Sequence, residues 1–388
     1  MAKDPQREDV FEVFDTRYTL RRYPTRHRKE LRAWDTADLY LLHTLAPMLS
    51  EVKTIGIVHD HFGALTVPLA RHNPVCYGDS WMSRRAIELN IQANQISSSI
   101  SFEEHLEDFI TLHDPPDCVV GRVPKSISQL TALLKKLNRW LAEDTLLMLA
   151  GMDKHLSRGQ YRQLEACFGP AHYLPGVRKA RIWQARCNPS LCGSQPLGQS
   201  VSREIIVPNH QLTLTALPNV FSHDHLDQGS AFLLSHLTRL PARRRVADMA
   251  CGYGVLGLAY LKINPETHMT FCDESFQAVA STELNQRRNL PQAQVNIYAD
   301  DGLKQHAQSS LDLVICNPPF HQGHTVSIDI AHSLFRDAYR ALDKTGELWI
   351  VANRHLGYHH ELKRVFHNCT TVTSNAKFVI LRAIKSEL

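Results

Sequence analysis

Several features that would place the chain in a membrane or outside the cell are missing from its 388 residues. No run of about 18 apolar residues occurs, which argues against a membrane-spanning helix. The stretch MAKDPQREDVFEVFD at the start is charged and has no apolar centre, so we expect no signal peptide. The nine cysteines are scattered and odd in number, as is typical of reduced, buried thiols in a cytoplasmic protein. Cys187 and Cys192 lie together in CNPSLC, but without a second pair at zinc-finger spacing we expect no metal site.

The excess of positive over negative charge is also small, because 43 Lys and Arg residues against 39 Asp and Glu give a formal net charge of only +4. The basic residues are, however, unevenly distributed. Seven basic residues lie between Arg17 and Arg32, against Glu30 alone. Seven more lie between Lys154 and Arg186. One such cluster is usually a solvated face, whereas two in the same half of the chain favour a phosphate-binding surface. The candidate contacts are Arg21, Arg22, Arg178, Lys179 and Arg181.

The second half of the chain alternates strand-like and helix-like segments. Helical patterns such as VLGLAYLKI and SFQAVASTELNQRRN separate most of the apolar runs. This alternation predicts an α/β fold with a mostly parallel sheet covered on both faces. The last strand follows CTTVTSNA without a crossover helix, so we expect it to run antiparallel. The predicted strands are residues 245–250, 268–273, 295–300, 311–317, 347–353 and 377–383.

The first half repeats this scheme at offsets of 191 to 195 residues. IGIVHDHFGALTVPLA aligns with VADMACGYGVLGLAYL, CVVGRVPK with LVICNPPF, Asp79 with Asp273, and Asn90 with Asn285. We therefore predict a tandem duplication, with domains at 1–190 and 203–388 joined by a linker at 191–202 that is rich in Pro, Gly and Ser.

The first copy lacks polar groups that the second copy has. It keeps the apolar pattern of the fold, so we expect a scaffold beside a catalytic copy. The mismatched pairs are Ile57 with Asp248, His61 with Gly252, and Arg122 with Asn317.

A glycine-rich turn, DMACGYGVLG at 248–257, follows the first strand of the second copy and opens a helix. Glycines there let a ligand approach the backbone, and the start of the helix offers free N–H groups. Asp273, at the end of the next strand, can accept hydrogen bonds from a ribose diol. These features suit a nicotinamide dinucleotide as well. Asp248 favours another ligand, because it would crowd a pyrophosphate but suits the cationic amino end of S-adenosylmethionine.

The strand at 311–317 ends in Asn-Pro-Pro-Phe, for which an oxidoreductase that transfers hydride has no use. Together with D-x-x-C-G-x-G-x-x-G and the acid after the second strand, this motif resembles class I methyltransferases that act on a planar amino nitrogen. NVFSHDHLDQGSAFLL, CNPPFHQGH and ELWIVANRHLGYHHELKRVF resemble the ribosomal RNA guanine-N2 methyltransferases. The nearest branch acts on guanine 1835 of 23S rRNA, and the 16S enzyme of the same build is second. One departure is His225, where that family usually has Gly.

The resemblance implies two tandem Rossmann-like class I methyltransferase domains, the first degenerate, with S-adenosylmethionine as cofactor and ribosomal RNA as partner. It implies that Asn317 and the Pro318 carbonyl accept the two N–H groups of the guanine amine, and that Phe320 stacks on the extruded base. Asp301, or its neighbour Asp300, would meet the adenine. Phe221 would cover the cofactor or belong to the core. The cofactor residues are then Asp248, Cys251, Gly252, Gly254, Asp273, Asp301 and Phe221.

Other functions stay open on the sequence alone. Methyltransferases for a protein glutamine amide or for DNA adenine also use Asn-Pro-Pro, usually with Tyr where this chain has Phe320. A non-catalytic RNA-binding assembly factor would require a broken cofactor site, yet the acids and glycines of that site are present. Arg354 and His355, which follow the strand at 347–353, fit a substrate contact or a structural role equally. We expect no metal, no membrane and no obligate protein partner.

Overall fold

The computed structural model describes residues 9–24, 31–191, 203–319 and 324–386. The chain divides into two compact units, Met1–Val201 and Ser202–Leu388. Each unit contains a seven-stranded sheet and a separate two-stranded hairpin. Across the described ranges, no helix is long and apolar enough to cross a membrane.

The first unit begins with its hairpin and continues into alternating strands and helices. Its strands are β1 (Val10–Val13), β2 (Thr16–Thr19), β3 (Ile55–Val58), β4 (Val75–Tyr77), β5 (Ser101–Glu103), β6 (Cys118–Arg122), β7 (Leu146–Met152), β8 (His172–Tyr173) and β9 (Ala180–Arg186). Its α-helices are α1 (Thr36–Leu45), α2 (Thr66–Leu69), α3 (Trp81–Ala93), α4 (Leu106–Thr111), α5 (Ile127–Trp140) and α6 (Arg158–Phe168).

The second unit follows the same plan. Its strands are β10 (Arg203–Val207), β11 (Leu212–Ala216), β12 (Arg245–Met249), β13 (His268–Asp273), β14 (Val295–Ala299), β15 (Leu311–Cys316), β16 (Leu342–Asn353), β17 (Thr370–Ser374) and β18 (Phe378–Ile384). Its α-helices are α7 (Gln228–Leu234), α8 (Val255–Ile263), α9 (Phe276–Asn289), α10 (His324–Ala341) and α11 (Tyr358–Phe366).

The two sheets have the same strand order. It is β5-β4-β3-β6-β7-β9-β8 in the first unit and β14-β13-β12-β15-β16-β18-β17 in the second. Five strands of each sheet are parallel, and β9 and β18 run antiparallel to their neighbours. This confirms the predicted mostly parallel sheets with an antiparallel last strand. β17 was not predicted, because this edge strand is largely exposed and its sequence TTVTS contains no apolar run.

The central strand β12 shows how the sheet is stabilised. Val246 packs into a core on one face with Tyr260 of α8, while Ala247 and Met249 pack into the opposite core with Phe335 of α10. Helices therefore cover both faces, which is why the parallel strands are nearly continuous in apolar residues. Seven of the eight described cysteines are buried, and all eight are free thiols.

The duplication also includes the hairpins, which are held by buried asparagines. In the second unit, Asn285 of α9 donates from Nδ2 to Thr215 O and Tyr253 O (both 2.9 Å) and accepts from Thr215 N (2.6 Å). In the first unit, Asn90 of α3 makes the equivalent bonds to Arg21 and Phe62. A pair one turn further along repeats the arrangement, with Asn94 on Thr19 and Asn289 on Thr213.

The predicted pairing of Asp79 with Asp273 is wrong by one residue. Ser80 and Ser275 are the N-caps of α3 and α9 and are therefore equivalent. Counting back from these caps, Gly78 stands at the position of Asp273. Matching acid to acid shifted the sequence alignment, because the cap geometry and not the identity of the acid sets the register. The first unit thus also lacks the carboxylate expected to bind ribose.

We predict that Asn285→Ala lowers the free energy of unfolding by about 2–3 kcal/mol, because it leaves buried backbone groups of Thr215 and Tyr253 without partners. Urea unfolding measures the change, and Asn90→Ala should have an effect of similar size. The control is Asn296→Ala on the exposed side of β14, which should cost less than about 0.5 kcal/mol. Equal effects of Asn285→Ala and this control would contradict the anchoring role.

Candidate functional site

The predicted site residues meet at one edge of the second sheet. Asp248 lies near the carboxyl end of β12, Asp273 ends β13, Asp300 follows β14 and Asn317 follows β15. The strand order reverses between β12 and β15, since their crossovers lead to opposite sides of the sheet. Open α/β sheets bind ligands at the carboxyl ends of their strands at this point of reversal.

The glycine-rich turn after β12 presents bare backbone at this edge. Ala250, Gly252 and Gly254 all have positive φ angles, of 59°, 58° and 80°. A Cβ atom at Gly252 would meet no described heavy atom within 4 Å, whereas one at Gly254 would lie 2.9 Å from Thr282 Cγ2. Gly254 is therefore required by packing, and Gly252 faces open space where a ligand can approach. Ala250 lies in the left-handed region, which is uncommon for a residue with a side chain, so this turn carries local backbone strain.

Cys251, another predicted cofactor residue, turns its side chain away from that space. Its Sγ is buried and lies 3.5 Å from Thr282 Oγ1. Burial raises the pKa of the thiol well above its usual value, so the thiol stays protonated and is no nucleophile. Its contribution to a ligand is therefore that of its backbone.

Two buried carboxylates flank the turn and differ in how they are satisfied. Asp248 is 1% exposed; its Oδ2 accepts from Gly257 N (2.8 Å), but its Oδ1 has no hydrogen-bond partner among the described residues. Burial raises the pKa of Asp248 to about 7. Asp273 accepts from Gly252 N (2.9 Å) and Ser275 N (3.0 Å), and burial raises its pKa as well. Asp248 is thus suited to a cationic partner, and Asp273 joins the glycine turn to the end of β13.

Asp300 and Asp301, which follow β14, have different hydrogen-bond partners, and the sequence alone did not distinguish their roles. Asp300 accepts from Asp301 N and Gln305 N (both 2.8 Å), so it shapes its own loop. The Asp301 carboxylate contacts Lys304 Nζ. Asp301 therefore stays the candidate for the adenine contact.

Asn317 is held by two residues that sequence reasoning missed as site residues. Its Nδ2 donates to Asp227 Oδ2 (2.9 Å) and Ser230 Oγ (3.0 Å), at the start of α7. Its Oδ1 is buried and has no partner in the described part of the chain. An orphaned buried acceptor costs free energy and signals a ligand or a function. LDQGS at 226–230 resembles an ordinary helix cap, and a pairing over 90 residues leaves no local signal.

The first unit carries a different group in the same place. Arg122, the last residue of β6, has the sheet position that Asn317 has in the second unit. It donates from Nη1 to Asp35 Oδ1 (2.6 Å) and Asp38 Oδ1 (2.8 Å), at the start of α1, and its side chain is only 8% exposed. An ion-pair cluster therefore occupies the position of the Asn317 amide, so the first copy is degenerate there.

The remaining predicted residues near this edge of the sheet have fewer contacts that indicate a role. Phe320 lies outside the described residues. Phe221 is 56% exposed, so the alternative of a core role for it is wrong, because the turn after β11 leaves its ring in solvent. Within this turn, His225 Nδ1 lies 2.6 Å from Asp224 Oδ1, at hydrogen-bond distance. Arg354 is exposed and donates to Asn375 O (3.2 Å), which ties the end of β16 to the turn before β18.

The basic candidates of the first unit differ in how free their charges are. Arg178 and Lys179 form the exposed turn before β9, with φ angles of 45° and 66°. Arg181 pairs with Asp153 (2.6 Å) and Arg21 with Asp9 (3.0 Å). Arg22 lies 4.8 Å over the ring of Phe62. A left-handed backbone at two consecutive residues with long side chains is uncommon, and here it presents both cations to solvent.

The sheet order and the glycine turn at its carboxyl edge are those of a class I methyltransferase. Residues 211–382 match the family model of the methyltransferase small domain, and residues 8–189 match that of the RLMG N-terminal domain. A protein of Aeromonas salmonicida named ribosomal RNA large subunit methyltransferase G is 39% identical over 97% of this chain and 100% of its own length. One of Pseudomonas aeruginosa with the same name is 40% identical over 94% of this chain and 97% of its own. The chain belongs to the ribosomal RNA large subunit methyltransferase G family.

Among solved structures, the T. thermophilus 16S rRNA N2 G1207 methyltransferase in complex with AdoMet and guanosine has a TM-score of 0.74 and is 20% identical, with 97% of each chain covered. This likeness confirms the two-domain methyltransferase fold. The domain match and the fold confirm S-adenosylmethionine as the cofactor. It fits the residues present, since Asp248 offers a carboxylate oxygen for its amino group and the turn at Gly252 leaves space beside the backbone. In the ranges the structure describes, no group of three or more His, Cys, Asp or Glu side chains could hold a metal ion.

We predict that Asp273→Ala weakens S-adenosylmethionine binding by about 1.5–3 kcal/mol, the size of a lost hydrogen bond to a charged group. Calorimetry on the apo protein measures the affinity. Asp343→Ala is the control, because it removes an exposed acid near the start of β16, at the opposite edge of the sheet. Unchanged affinity of Asp273→Ala would refute its role in cofactor binding.

Proposed function

We propose that the protein transfers a methyl group from S-adenosylmethionine to the exocyclic N2 of one guanine in 23S ribosomal RNA, by resemblance guanine 1835. The observation that carries the proposal is the Asn317 amide, whose Nδ2 is held by Asp227 and Ser230 while its buried Oδ1 has no described partner. A buried acceptor near the glycine turn suits a substrate that donates N–H groups.

The guanine amine is a poor nucleophile because its lone pair is delocalised into the ring. Asn317 Oδ1 and the Pro318 carbonyl accept its two N–H groups, which favours a pyramidal nitrogen with an available lone pair. Pro318 and Pro319 fix the backbone so that both acceptors are preorganised. S-adenosylmethionine, when bound, supplies an electrophilic methyl on a sulfonium sulfur that leaves with the bonding pair. The proton released from the methylated amine goes to solvent.

Two alternatives are weaker. The T. thermophilus protein of the same fold acts on 16S rRNA and was solved with guanosine, which supports the N2 atom as target. The curated relatives at 39–40% identity are named for the large subunit, which favours 23S over 16S rRNA for this chain. A non-catalytic assembly factor is disfavoured, since it has no need of the unpartnered Asp248 Oδ1 and Asn317 Oδ1.

The direct test is methylation of ribosomal RNA from a strain that lacks the enzyme, with labelled S-adenosylmethionine. Free 23S rRNA, free 16S rRNA and both assembled subunits are offered separately, and the labelled nucleotide is mapped. Label on N2 of a single 23S guanine supports the proposal. Label confined to 16S rRNA, or on another atom of the base, would refute it.

We predict that Asn317→Ala lowers the rate of methyl transfer roughly 100-fold or more, as for a lost transition-state hydrogen bond. Cofactor affinity should stay near that of the wild type, because Asn317 contacts the substrate amine and not the cofactor. Single-turnover assays with labelled cofactor measure the rate, and Asn296→Ala is the control. A variant with nearly normal turnover would remove Asn317 from the mechanism.

We further propose that the first unit binds RNA and no cofactor. His61 stands where the glycine turn has Gly252, Gly78 stands in place of the acid expected to bind ribose, and Arg122 has the position of the Asn317 amide. Arg178 and Lys179 project from an exposed turn, which makes them suitable for RNA phosphates.

We predict that Arg178→Glu with Lys179→Glu weakens RNA binding of the full-length protein and lowers the salt slope by about 1.4–1.8, since each phosphate contact contributes about 0.7–0.9. Cofactor affinity should not change. Lys53→Glu with Arg71→Glu makes the same charge change at exposed positions outside both basic clusters and should have a smaller effect. Equal salt slopes for the two double variants would argue for a nonspecific charge effect.

Isolated residues 1–190 should bind rRNA fragments but no S-adenosylmethionine.

A further inference from the structure

The orientation of the Asn317 amide depends on an acid that belongs to another element. An asparagine side chain can turn its amide by 180°, which exchanges Nδ2 and Oδ1. Ser230 does not decide between the two orientations, because a hydroxyl both donates and accepts. Asp227 does decide, because an ionised carboxylate only accepts and therefore selects Nδ2.

We propose that Asp227 is a positioning residue that, through Asn317, makes the site specific for an exocyclic amino group. With Nδ2 held by Asp227, the amide presents Oδ1, which accepts from an amine and repels a keto oxygen. With the opposite orientation, Asn317 would present a donor and select a keto group. This inference rests on the proposed function and names the residue that sets its specificity.

The place of Asp227 is fixed independently of Asn317. It is the N-cap of α7, where its Oδ2 accepts from Ser230 N (2.8 Å). It also lies close to Tyr253 of the glycine turn, whose pKa is raised by burial and by the Asp227 carboxylate. A Cβ atom at Gly229 would lie 3.0 Å from Asp227 Oδ2 and 3.6 Å from Asn317 Oδ1, so the glycine keeps side-chain atoms out of this corner.

The first unit contains the same anchor with a different group on it. Asp35, the N-cap of α1, and Asp38 hold Arg122 as Asp227 and Ser230 hold Asn317. There the strand presents a guanidinium, which has donors only. The acid at the start of the helix is thus common to both units, and the residue after the strand determines what is presented. Only the second unit combines the acid with a group that has an acceptor to spare.

Asp227→Ala tests this role, because it removes Oδ2, the oxygen that accepts from both Ser230 N and Asn317 Nδ2. We expect kcat to fall roughly 10-fold or more, because the Asn317 acceptor is no longer preorganised. Asp227→Asn should restore most of kcat, because its side-chain oxygen can cap α7 and accept from Asn317 at the same time. KM for RNA should stay within about 3-fold, since a transition-state interaction is lost. Cofactor affinity should not change. Ser126→Ala, which removes the cap of α5 in the first unit, is the control and should lower Tm without lowering kcat.

A double-mutant cycle separates positioning from a general structural effect. If Asp227 acts through Asn317, then Asp227→Ala should cause no further loss of rate in the Asn317→Ala background. Additive losses of rate would overturn the proposal.

A binding measurement tests the same inference without turnover. Guanosine and inosine differ by the N2 amino group, and each is titrated by NMR into the protein saturated with S-adenosylhomocysteine. The wild type should prefer guanosine by roughly 3- to 10-fold, the size of one hydrogen bond. Asp227→Ala should lose this preference. A wild type that methylates another atom or shows no such preference refutes the proposed function and the inference together. A wild type that methylates guanine N2, with Asp227→Ala keeping both kcat and preference, overturns the inference alone.

Discussion

The hydrogen bond from Asn317 Nδ2 to the Asp227 carboxylate joins the end of β15 to the start of α7. Asp227 in turn caps α7 and lies against Tyr253 of the glycine turn. Three segments far apart in the chain thus converge on one carboxylate, which orients the amide so that the buried Asn317 Oδ1 is left without a described partner. In the proposed reaction this oxygen would be a preorganised acceptor, which needs no rearrangement when the amine reacts.

The same junction explains how one copy could lose its chemistry without losing its fold. An acid that is wholly or partly buried at the start of the helix requires a partner, because an unpaired charge away from water is costly. Asn317 satisfies Asp227 with one amide, while Arg122 satisfies both Asp35 and Asp38. Burial raises the pKa of Asp38 to about 6, which shows how strongly this cluster is desolvated. Removing the guanidinium would leave two acids without their partner, so the degenerate site is now a structural element.

The sequence predicted those parts of the molecule that depend on local pattern. Apolar runs located β12, β13 and β15, and α8 was predicted at Val255–Ile263 because its apolar residues leave little doubt about burial. Asn317 was found because Asn-Pro-Pro after a strand has few structural uses. Asp227 was missed, since a helix cap has the same local sequence whether or not its carboxylate also holds the amide of a distant asparagine. The shift from Asp79 to Gly78 was missed for a related reason, because only the caps at Ser80 and Ser275 reveal the register.

The two units also show which constraints are independent of catalysis. The asparagines of α3 and α9 satisfy buried backbone groups of the hairpins, so either unit would lose stability without them. The residues at the carboxyl edge of the sheet are not needed for stability in this way, provided that the acid at the start of the helix has a partner. Gly252 and Asp273 could therefore be replaced by His61 and Gly78 in the first unit while its strand order stayed the same. The second unit thus keeps the groups proposed for methyl transfer at this edge, and the first unit keeps the same sheet order without them.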